Sequence, residues 1–456
     1  MPETENSENR INPPQAPIKF REYASYFAVN LGNIPIMTLI GSFLLIFYTD
    51  VVGLDPAAVG TMFLISRIFD GVNDPMMGYI IDHLPRSKWG RFKPYIFLGS
   101  IICGINFLLL WLGPSLAPSY KIVVAYITYF CLGISFDIMD VPLNSLIPVM
   151  VTGQKKRTTL SIIKSIGYGL GGILFTLPIV SFIQSFPTAR EGYHALIIIA
   201  VIFIITLSCL GTLGIKERVK PVSTKKYSIK DYFKIFSLQP VIGLALTALI
   251  GGIALNVAST TALYYFTYVT GDANFFTFFT LATLIMGAAG IIPALFLARK
   301  MGNKQVWMYG MTIGLIPSTL ALFIPSSQPI LLIIFIGLGR LGTGFASIVN
   351  YALQADLMDY VDWKRGHRAE GAIAAIFSFI TKAGGGIGSA IPGFILAATG
   401  YVPNQSQDLP AITGIIFLFL WIPVIATIAS LLCMGFLYTI NQKRAKRIQD
   451  ELTSRR

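Results

Sequence analysis

Acidic side chains that could hold a cation stand inside apolar stretches of the chain. Asp70 and Asp74 lie one helical turn apart, and Asn73 adds an amide oxygen beside them. Asp137 and Asp140 form a second pair, spaced three residues apart. Hard cations prefer oxygen ligands, and a bound cation or proton relieves the repulsion between neighbouring carboxylates. If the two helical faces meet, these residues predict a binding site for Na⁺ or H⁺.

Basic side chains occupy the same kind of apolar stretch, namely Arg67, Lys164, Arg340 and Lys382. Together with the four acids Asp70, Asp74, Asp137 and Asp140 they form a formally neutral set. Each unpaired charge costs ~2.5–3.5 kcal/mol at the centre of a membrane span, so we expect pairing, hydration or coordination. Salt bridges that only join helices are the alternative interpretation, which suits Arg340 best and stays open for Arg67.

Helices must position these charges, because only helices and closed barrels satisfy their backbone groups inside a bilayer. Hydrophobic runs of about 20 residues or more predict membrane spans. The twelve predicted spans are 24–49, 57–82, 94–112, 122–150, 159–184, 194–215, 241–269, 275–298, 305–325, 329–355, 370–398 and 410–439. The predicted fold class is therefore an all-α membrane protein.

A basic segment at 216–240 separates six of these spans from the other six. This layout is typical of transporters built from two helical repeats, with the substrate site between the repeats near the middle of the membrane. The predicted organisation is an N-terminal tail (1–23), a first bundle (24–215), a central loop (216–240), a second bundle (241–439) and a C-terminal tail (440–456). Glycine-rich runs within the spans indicate close helix packing.

Composition excludes several classes of protein. Hydrophobic residues make up 54% of the 456 residues and charged residues 12%, about half of the ~25% usual in a soluble domain. A soluble enzyme, a disordered chain and a disulfide-rich secreted module are therefore excluded. The four cysteines all fall within predicted spans without a CxxC pair, so we expect no disulfide framework and no zinc site. Apart from the coupling ion we expect no cofactor.

Basic residues are distributed unevenly about the predicted spans. With the N-terminus in the cytoplasm, 29 of the 35 lysine and arginine residues fall on the cytoplasmic side or in the tails. This follows the positive-inside rule and predicts that both termini are cytoplasmic. The net charge of +13 thus reflects topology, and no basic face with interleaved aromatic residues indicates nucleic acid. Contact of the central loop with anionic membrane lipid is expected but generic.

Several segments resemble one known transporter family. They are YTDVVGLDPAAVGTMFLISRIFDGVNDPMMGYIIDHLPRSKWGRFKP (48–94), FDIMDVPLNSLIP (136–148), ALYYFTYVTGD (262–272), ADLMDYVDWKRGHRAEG (355–371) and ITKAGGGIG (380–388). In this order they resemble the glycoside–pentoside–hexuronide:cation symporters of the major facilitator superfamily, which include melibiose permease. The resemblance implies a twelve-helix transporter of the bacterial cytoplasmic membrane that imports a sugar with Na⁺, H⁺ or Li⁺ by alternating access. We expect it to act as a monomer.

The resemblance also implies roles for individual residues. Asp70, Asn73 and Asp74 match cation-binding positions of the family, and Asp140 matches an acid that serves both cation and sugar. These four residues are the Na⁺ candidates. Asp137 replaces a threonine of melibiose permease, which would add negative charge to the cation site.

Two lysines match positions near the sugar. Lys382 matches a lysine close to both sites, and Lys164 stands where relatives often carry an arginine that reaches the sugar. Three other positions depart from the melibiose permease pattern: Ile34 follows Asn33 in place of a sugar-gripping acid, and Asn144 and Ser347 stand in place of tryptophans. We therefore expect another glycoside, a pentoside or a uronide. The predicted substrate-binding residues are Asn33, Asp140, Asn144, Lys164 and Lys382.

A cytoplasmic charge latch is implied by a further resemblance, between the segment 78–94 and the loop 2–3 signature of the superfamily. Its members would be Asp82, Arg86 and Arg91, with Asp356 and Asp359 as a counterpart near the end of the tenth span. Latches of this kind bias inward- and outward-facing states. Topology and solubility alone are the other explanation for these charges.

Two alternatives to a sugar symporter are open at this stage. The motifs D-x-x-N-D (70–74) and D-x-x-D-x-x-D (356–362) are typical of intramembrane prenyltransferases that bind Mg²⁺-pyrophosphate. Those enzymes need both motifs at one membrane face, whereas here the first lies in mid-span, so we expect no enzyme. The other alternative is a cation-coupled carrier for a non-sugar solute such as a lipid or another amphiphile.

Overall fold

The computed structural model describes residues 18–83, 87–151, 154–218, 235–366 and 370–455. Over these residues the chain is helical, and the one β-type contact is an isolated bridge between Ser87 and Gly90. Most of the predicted N-terminal tail and of the predicted central loop falls outside the described residues. So does Arg86 of the predicted latch.

Helices α1–α8 precede the central loop. They are α1 (Phe20–Ile46), α2 (Pro56–His83), α3 (Lys93–Leu116), α4 (Lys121–Asn144), α5 (Leu146–Met150), α6 (Gln154–Leu174), α7 (Ile179–Gln184) and α8 (Ala189–Gly214). Helices α9–α17 follow it: α9 (Gln239–Tyr264), α10 (Phe275–Lys300), α11 (Asn303–Ala321), α12 (Pro329–Gly339), α13 (Leu341–Arg365), α14 (Glu370–Ala398), α15 (Leu409–Ile416), α16 (Ile422–Leu432) and α17 (Gln442–Arg455). Five-residue π-helical turns continue α1 at Phe47–Val51 and α9 at Tyr265–Val269, and flank α16 at Phe417–Trp421 and Cys433–Leu437.

Local sequence sets several helix ends. Proline occupies the first turn of α3, α9, α12 and α15, where its missing N–H would have no partner inside the helix. Gly366 ends α13 in the left-handed conformation, with φ 73°, and its N–H donates to the Asp362 carbonyl over 2.8 Å.

Ten helical segments of the described chain are long and apolar enough to cross a membrane. Two more helices match the remaining predicted spans: α2, with 28 residues, carries the predicted site charges, and α11, with 19 residues, begins with polar side chains. The all-α prediction is confirmed, and the predicted spans agree with helices to within several residues, with one exception. Span 10 was predicted to end at 355, but α13 continues to Arg365, so Asp356 and Asp359 stand on a helix.

The helices form two compact units. The first unit contains residues 1–38, 72–175 and 194–223, and the second contains residues 39–71, 176–193 and 224–456. The division passes through α1 and α2, so the final part of α1 and the first part of α2 belong to the second unit. The predicted six-plus-six boundaries, which follow the order of spans in the sequence, stay a prediction.

Glycine contacts bring helices of the second unit close together. A Cβ atom added to Gly342 of α13 would lie 2.7 Å from the carbonyl oxygen of Gly310 on α11. One added to Gly384 of α14 would lie 2.9 Å from the carbonyl oxygen of Leu249 on α9. A larger residue at either position would force the backbones apart, in keeping with small residues at membrane helix interfaces.

An ion pair joins the start of α1 to the segment after α8 in the first unit. The Arg218 guanidinium lies 2.6 Å from the Glu22 carboxylate, and both side chains are largely buried. The neighbouring Glu217 carboxylate accepts the backbone N–H groups of Arg91, Phe92 and Lys93 at 2.7, 2.8 and 3.0 Å. Glu217 thus satisfies donors at the start of α3 that the helix itself cannot satisfy.

The predicted C-terminal tail forms a helix that packs on the second unit. Ile448 and Leu452 of α17 are buried in the cluster that also contains Tyr360 of α13. The indole Nε1 of Trp363 donates to the Glu451 carboxylate over 2.6 Å. The last helix is therefore part of the folded unit.

Replacing Glu22 by glutamine should lower the thermal stability of the purified protein clearly, because Arg218 would keep a buried charge without its acid. Loss of one member of a buried pair costs about 3–5 kcal/mol. The control is Arg447→Gln, which breaks an exposed pair with Glu451 (2.8 Å) and should change stability by less than about 1 kcal/mol. Equal midpoints of thermal unfolding for the two variants in detergent would contradict this assignment.

Candidate functional site

Two buried side chains of the first unit meet at the predicted cation site. Asn73 of α2 is 1% exposed and Asp137 of α4 is 6% exposed. The Asn73 amide nitrogen donates to Asp137 Oδ2 over 2.7 Å. The Asn73 amide oxygen is buried and accepts no hydrogen bond from the described residues. Such an oxygen is costly to bury without a donor, and it is a suitable ligand for a hard cation.

A chain of hydrogen bonds joins α1, α4 and α6 in the same unit. Asn33 Nδ2 donates to Asp140 Oδ1 over 2.9 Å, and Asn144 Nδ2 donates to Asp140 Oδ2 over 2.7 Å. Lys164 Nζ donates to Asn144 Oδ1 and lies 5.3 Å from the centre of the Tyr168 ring. The structure thus connects four of the predicted substrate-binding residues, Asn33, Asp140, Asn144 and Lys164.

The two acids of α4 therefore have different partners. Asp137 meets Asn73 of α2, whereas Asp140 meets the predicted sugar residues Asn33 and Asn144. Asp137 is buried, and Asp140 is partly exposed beside an exposed Asn144. Helix α4 thus carries one buried carboxylate, that of Asp137, and one turn later a partly exposed carboxylate, that of Asp140.

Asp70 stands in the part of α2 that belongs to the second unit. Arg67 Nη1 lies 3.1 Å from Asp70 Oδ2, which is the intrahelical pair that the sequence spacing predicts. Gly386 of α14 packs against the aliphatic part of Arg67, and Lys382 lies one turn before Gly386 on that helix. The side chain of Asp74 lies outside the described part of the structure.

The predicted latch residues are described only in part. Arg86 and the side chain of Asp82 lie outside the described structure. Arg91 donates its backbone N–H to Glu217, and its guanidinium carbon lies 5.4 Å from the centre of the Phe92 ring. Asp356 accepts a hydrogen bond from Asn303 Nδ2 over 2.8 Å, which joins α13 to α11. The latch stays a prediction.

Conventional metal-ligand clusters are absent from the described side chains, where no group of three histidine, cysteine or acidic residues could hold a metal ion. A cation at Asn73 and Asp137 would instead be held by a mixture of amide and carboxylate oxygens. Carboxylate and amide oxygens are ligands of hard cations, whereas structural zinc sites use nitrogen and sulfur ligands.

Sequence reasoning missed two acidic groups that organise the structure. Asp50 lies one residue beyond the predicted span 24–49, so a search for ionisable residues inside spans does not find it. Its hydroxyl partners include Tyr268 and Tyr401, which are distant in sequence. Glu217 was also missed, because its partners are backbone N–H groups, which leave no pattern in the sequence.

Comparison with known proteins places the chain among membrane transporters. A family model described as "MFS/sugar transport protein" matches residues 25–442. The chain is 30% identical to the isoprimeverose transporter of Lactiplantibacillus pentosus, over 95% of this chain and 90% of that protein. It is 27% identical to the glucuronide carrier protein homolog of Escherichia coli K12 (96% of each chain) and 27% identical to the putative sulfoquinovose importer of the same organism (98% and 96%).

Solved structures share the fold at low sequence identity. A mutant of the nucleoside transporter NupG matches with a TM-score of 0.67 and 14% identity, over 90% of this chain and 99% of that chain. A bacterial homolog of the human lysosomal transporter Spinster matches with a TM-score of 0.61 and 14% identity, over 93% and 96%. The predicted all-α major facilitator fold is confirmed.

These findings establish the general activity. The protein is a multi-pass membrane transporter for sugars and not an enzyme, so the prenyltransferase alternative is wrong. The resemblance seen in its sequence motifs is confirmed, and the chain belongs to the MFS/sugar transport protein family of the major facilitator superfamily.

Proposed function

We propose that the protein imports a sugar together with Na⁺ or H⁺ by alternating access across the bacterial cytoplasmic membrane, with both termini in the cytoplasm. The observation that carries this proposal is the buried pair of Asn73 and Asp137, one helical turn from the Asp140 group. The Asn73 amide oxygen in this pair accepts no hydrogen bond from the described residues. Cation and sugar would then bind to adjacent turns of α4. The family resemblance implies that Asp70, Asp74 and Lys382 also belong to these sites, and we propose that the protein acts as a monomer.

The cation site is proposed at Asp137 and Asn73. A cation there would find a carboxylate and an amide oxygen that lack bulk water, so its binding would offset the cost of burying the charge of Asp137. Asp137 occupies the threonine position of melibiose permease, and we therefore assign this acid a larger share of cation binding than the family pattern implies. Asn73 favours Na⁺ over H⁺, because an amide oxygen binds a metal ion but takes up no proton near neutral pH.

The sugar site is proposed at Asp140, Asn144 and Lys164, with Asn33 at its edge. Carboxylate, amide and ammonium groups together supply the acceptors and donors that sugar hydroxyls need. Lys164 is the positively charged member of this group, which suits an anionic sugar. Two relatives are named for glucuronide and sulfoquinovose, and a third for isoprimeverose. We propose a glycoside or uronide as the substrate class.

Coupling would follow from the position of both sites on α4. Asp137 and Asp140 are separated by one helical turn, so a cation bound at the first carboxylate reduces the repulsion felt by the second. The occupied first site would thereby favour the arrangement of Asp140 that receives sugar. Uptake of a panel of glycosides, pentosides and uronides into right-side-out vesicles under an imposed Na⁺ or H⁺ gradient tests this coupling and identifies the ion.

Replacing Asp137 by asparagine should abolish gradient-driven accumulation of sugar. Exchange of sugar at equal concentrations on the two sides of the membrane should continue. The substitution keeps the side-chain size but removes the charge that attracts the cation. A loss of about 1.4 kcal/mol of binding free energy is enough to weaken cation binding tenfold. Uptake in vesicles with and without the ion gradient measures the effect.

The matched control for this variant is Asp408→Asn. Asp408 carries the same charge on an exposed position before α15 and caps no helix with its side chain. Its variant should accumulate sugar at the normal rate. Concentrative uptake by the Asp137→Asn protein equal to that of the control would refute the assignment of Asp137 to the cation site.

Replacing Lys164 by glutamine should raise the KM for a uronide by a larger factor than the KM for the corresponding neutral glycoside. Glutamine can still donate to Asn144, but it carries no charge for a carboxylate. The exposed Lys446 of α17 supplies the control, since Lys446→Gln removes a charge far along the chain from the proposed site. An unchanged KM for both sugars would remove Lys164 from the substrate site.

A further inference from the structure

A cavity of about 360 Å³ lies within the second unit, and its wall contains none of the residues proposed above for the cation, the sugar or the latch. Asp50, Arg190, Tyr193, Tyr268 and Asn404 contribute to this wall. Arg190 and Asn404 are exposed, so the cavity is reached from solvent. Small-molecule sites typically have volumes of about 300–1,000 Å³ and combine aromatic surfaces with a few polar groups. The cavity meets both conditions.

Hydroxyl groups fix the Asp50 carboxylate in this wall. Thr49 Oγ1 and the Tyr401 hydroxyl donate to Asp50 Oδ1 at 2.6 and 2.7 Å, and the Tyr268 hydroxyl donates to Oδ2. Burial raises the pKa of the Tyr401 phenol, so this group stays a donor. A carboxylate offers about four acceptor positions. These bonds therefore hold Asp50 in one orientation and leave it able to accept a further hydroxyl.

The backbone around Asp50 is unusual for a purely structural wall. Asp50 and Tyr268 both stand on π-helical turns, Phe47–Val51 and Tyr265–Val269, a conformation that is frequent at functional sites. Asn404 has a positive φ of 58°, the one such non-glycine residue in the described chain. Its backbone N–H donates to the Tyr268 hydroxyl over 3.1 Å, and its side chain donates to the Asp50 carbonyl over 2.7 Å.

The entrance of the cavity also carries a strong donor. Arg190 is exposed, and its Nη2 lies 3.4 Å from the Val51 carbonyl oxygen. A guanidinium group has five N–H donors in a fixed plane, so most of them are available to a ligand. Tyr193 and Tyr268 add aromatic surface beside these polar groups.

We propose that this cavity is a second binding site for sugars, separate from the site at Asp140. Asp50 accepts hydrogen bonds from the ligand's hydroxyls, Arg190 and Asn404 donate to its oxygens, and the rings of Tyr193 and Tyr268 pack against its apolar face. With the predicted topology the site faces the outside, where it collects sugar before transport. It requires neither the cation coupling nor the sugar site proposed above.

Protection from a thiol reagent tests this site in the purified full-length protein. Ala189 lines the cavity and is exposed, so Ala189→Cys provides a thiol at its wall. The rate of modification by a hydrophilic maleimide is measured by mass spectrometry of the peptide that contains position 189. The probes are methyl β-D-glucuronide and methyl β-D-glucoside, with tetraethylene glycol as the non-sugar control. Ala117→Cys, in a connection that does not line the cavity, is the matched control variant.

We expect at least one methyl glycoside to slow modification at position 189 several-fold, without slowing it at position 117. The same protection should persist when Ala189→Cys is combined with Asp140→Asn. It should be lost in the double variant with Asp50→Asn, and it should persist in the control double variant with Asp408→Asn. Absence of protection by either glycoside would overturn the proposal. Protection that disappears with Asp140→Asn would also overturn it, because the cavity would then only respond to events at Asp140.

Uptake measured with the same variants separates this proposal from the proposed function. Protection that persists while Asp140→Asn transports sugar normally would reject the Asp140 site and keep the second site. The second site alone would be rejected by a different set of results. In that case the glycosides do not protect position 189, the Ala189→Cys protein takes up sugar normally, and the Asp140→Asn protein takes up none.

Discussion

The cost of removing a charged side chain from water governs the polar architecture of this transporter. Each acid within the apolar helices needs a partner, and the structure shows a different kind for each of Asp70, Asp137 and Asp140. Asp70 has the guanidinium of Arg67 on its own helix, Asp137 has the amide of Asn73, and Asp140 has a chain of amides that leads to a lysine. These partners differ in charge: a guanidinium, a neutral amide, and amides that lead to an ammonium group.

The three acids therefore stand in different electrostatic environments. Asp70 has a cationic partner on its own helix, whereas Asp137 accepts from the neutral amide of Asn73, whose oxygen accepts no hydrogen bond from the described residues. Helix α4 is central to the arrangement, because it presents Asp137 towards α2 and Asp140 towards α1 and α6. A change in the rotation of α4 would alter both environments at once.

The sequence predicted the helices and which of them carry the candidate residues, and physical reasons explain what it could not predict. Hydrophobic runs locate spans because the bilayer requires satisfied backbone groups, and the spacing of Arg67 and Asp70 determines their contact within one helix. Which α4 acid meets Asn73 depends on how α2 and α4 are rotated against each other, and no local pattern encodes that rotation. The hydroxyls around Asp50 include those of Tyr268 and Tyr401, which only the folded chain brings close to it.

The hydrogen bond between Trp363 and Glu451 gives the molecule an internal optical reporter. Trp363 is one of five tryptophans, and its indole N–H is committed to a side chain of the last helix. Detachment of α17 would release that bond and expose the ring to water, which would shift its emission. Because the same α13 carries Asp356, the contact of Trp363 with Glu451 connects α17 to the segment predicted to hold the latch.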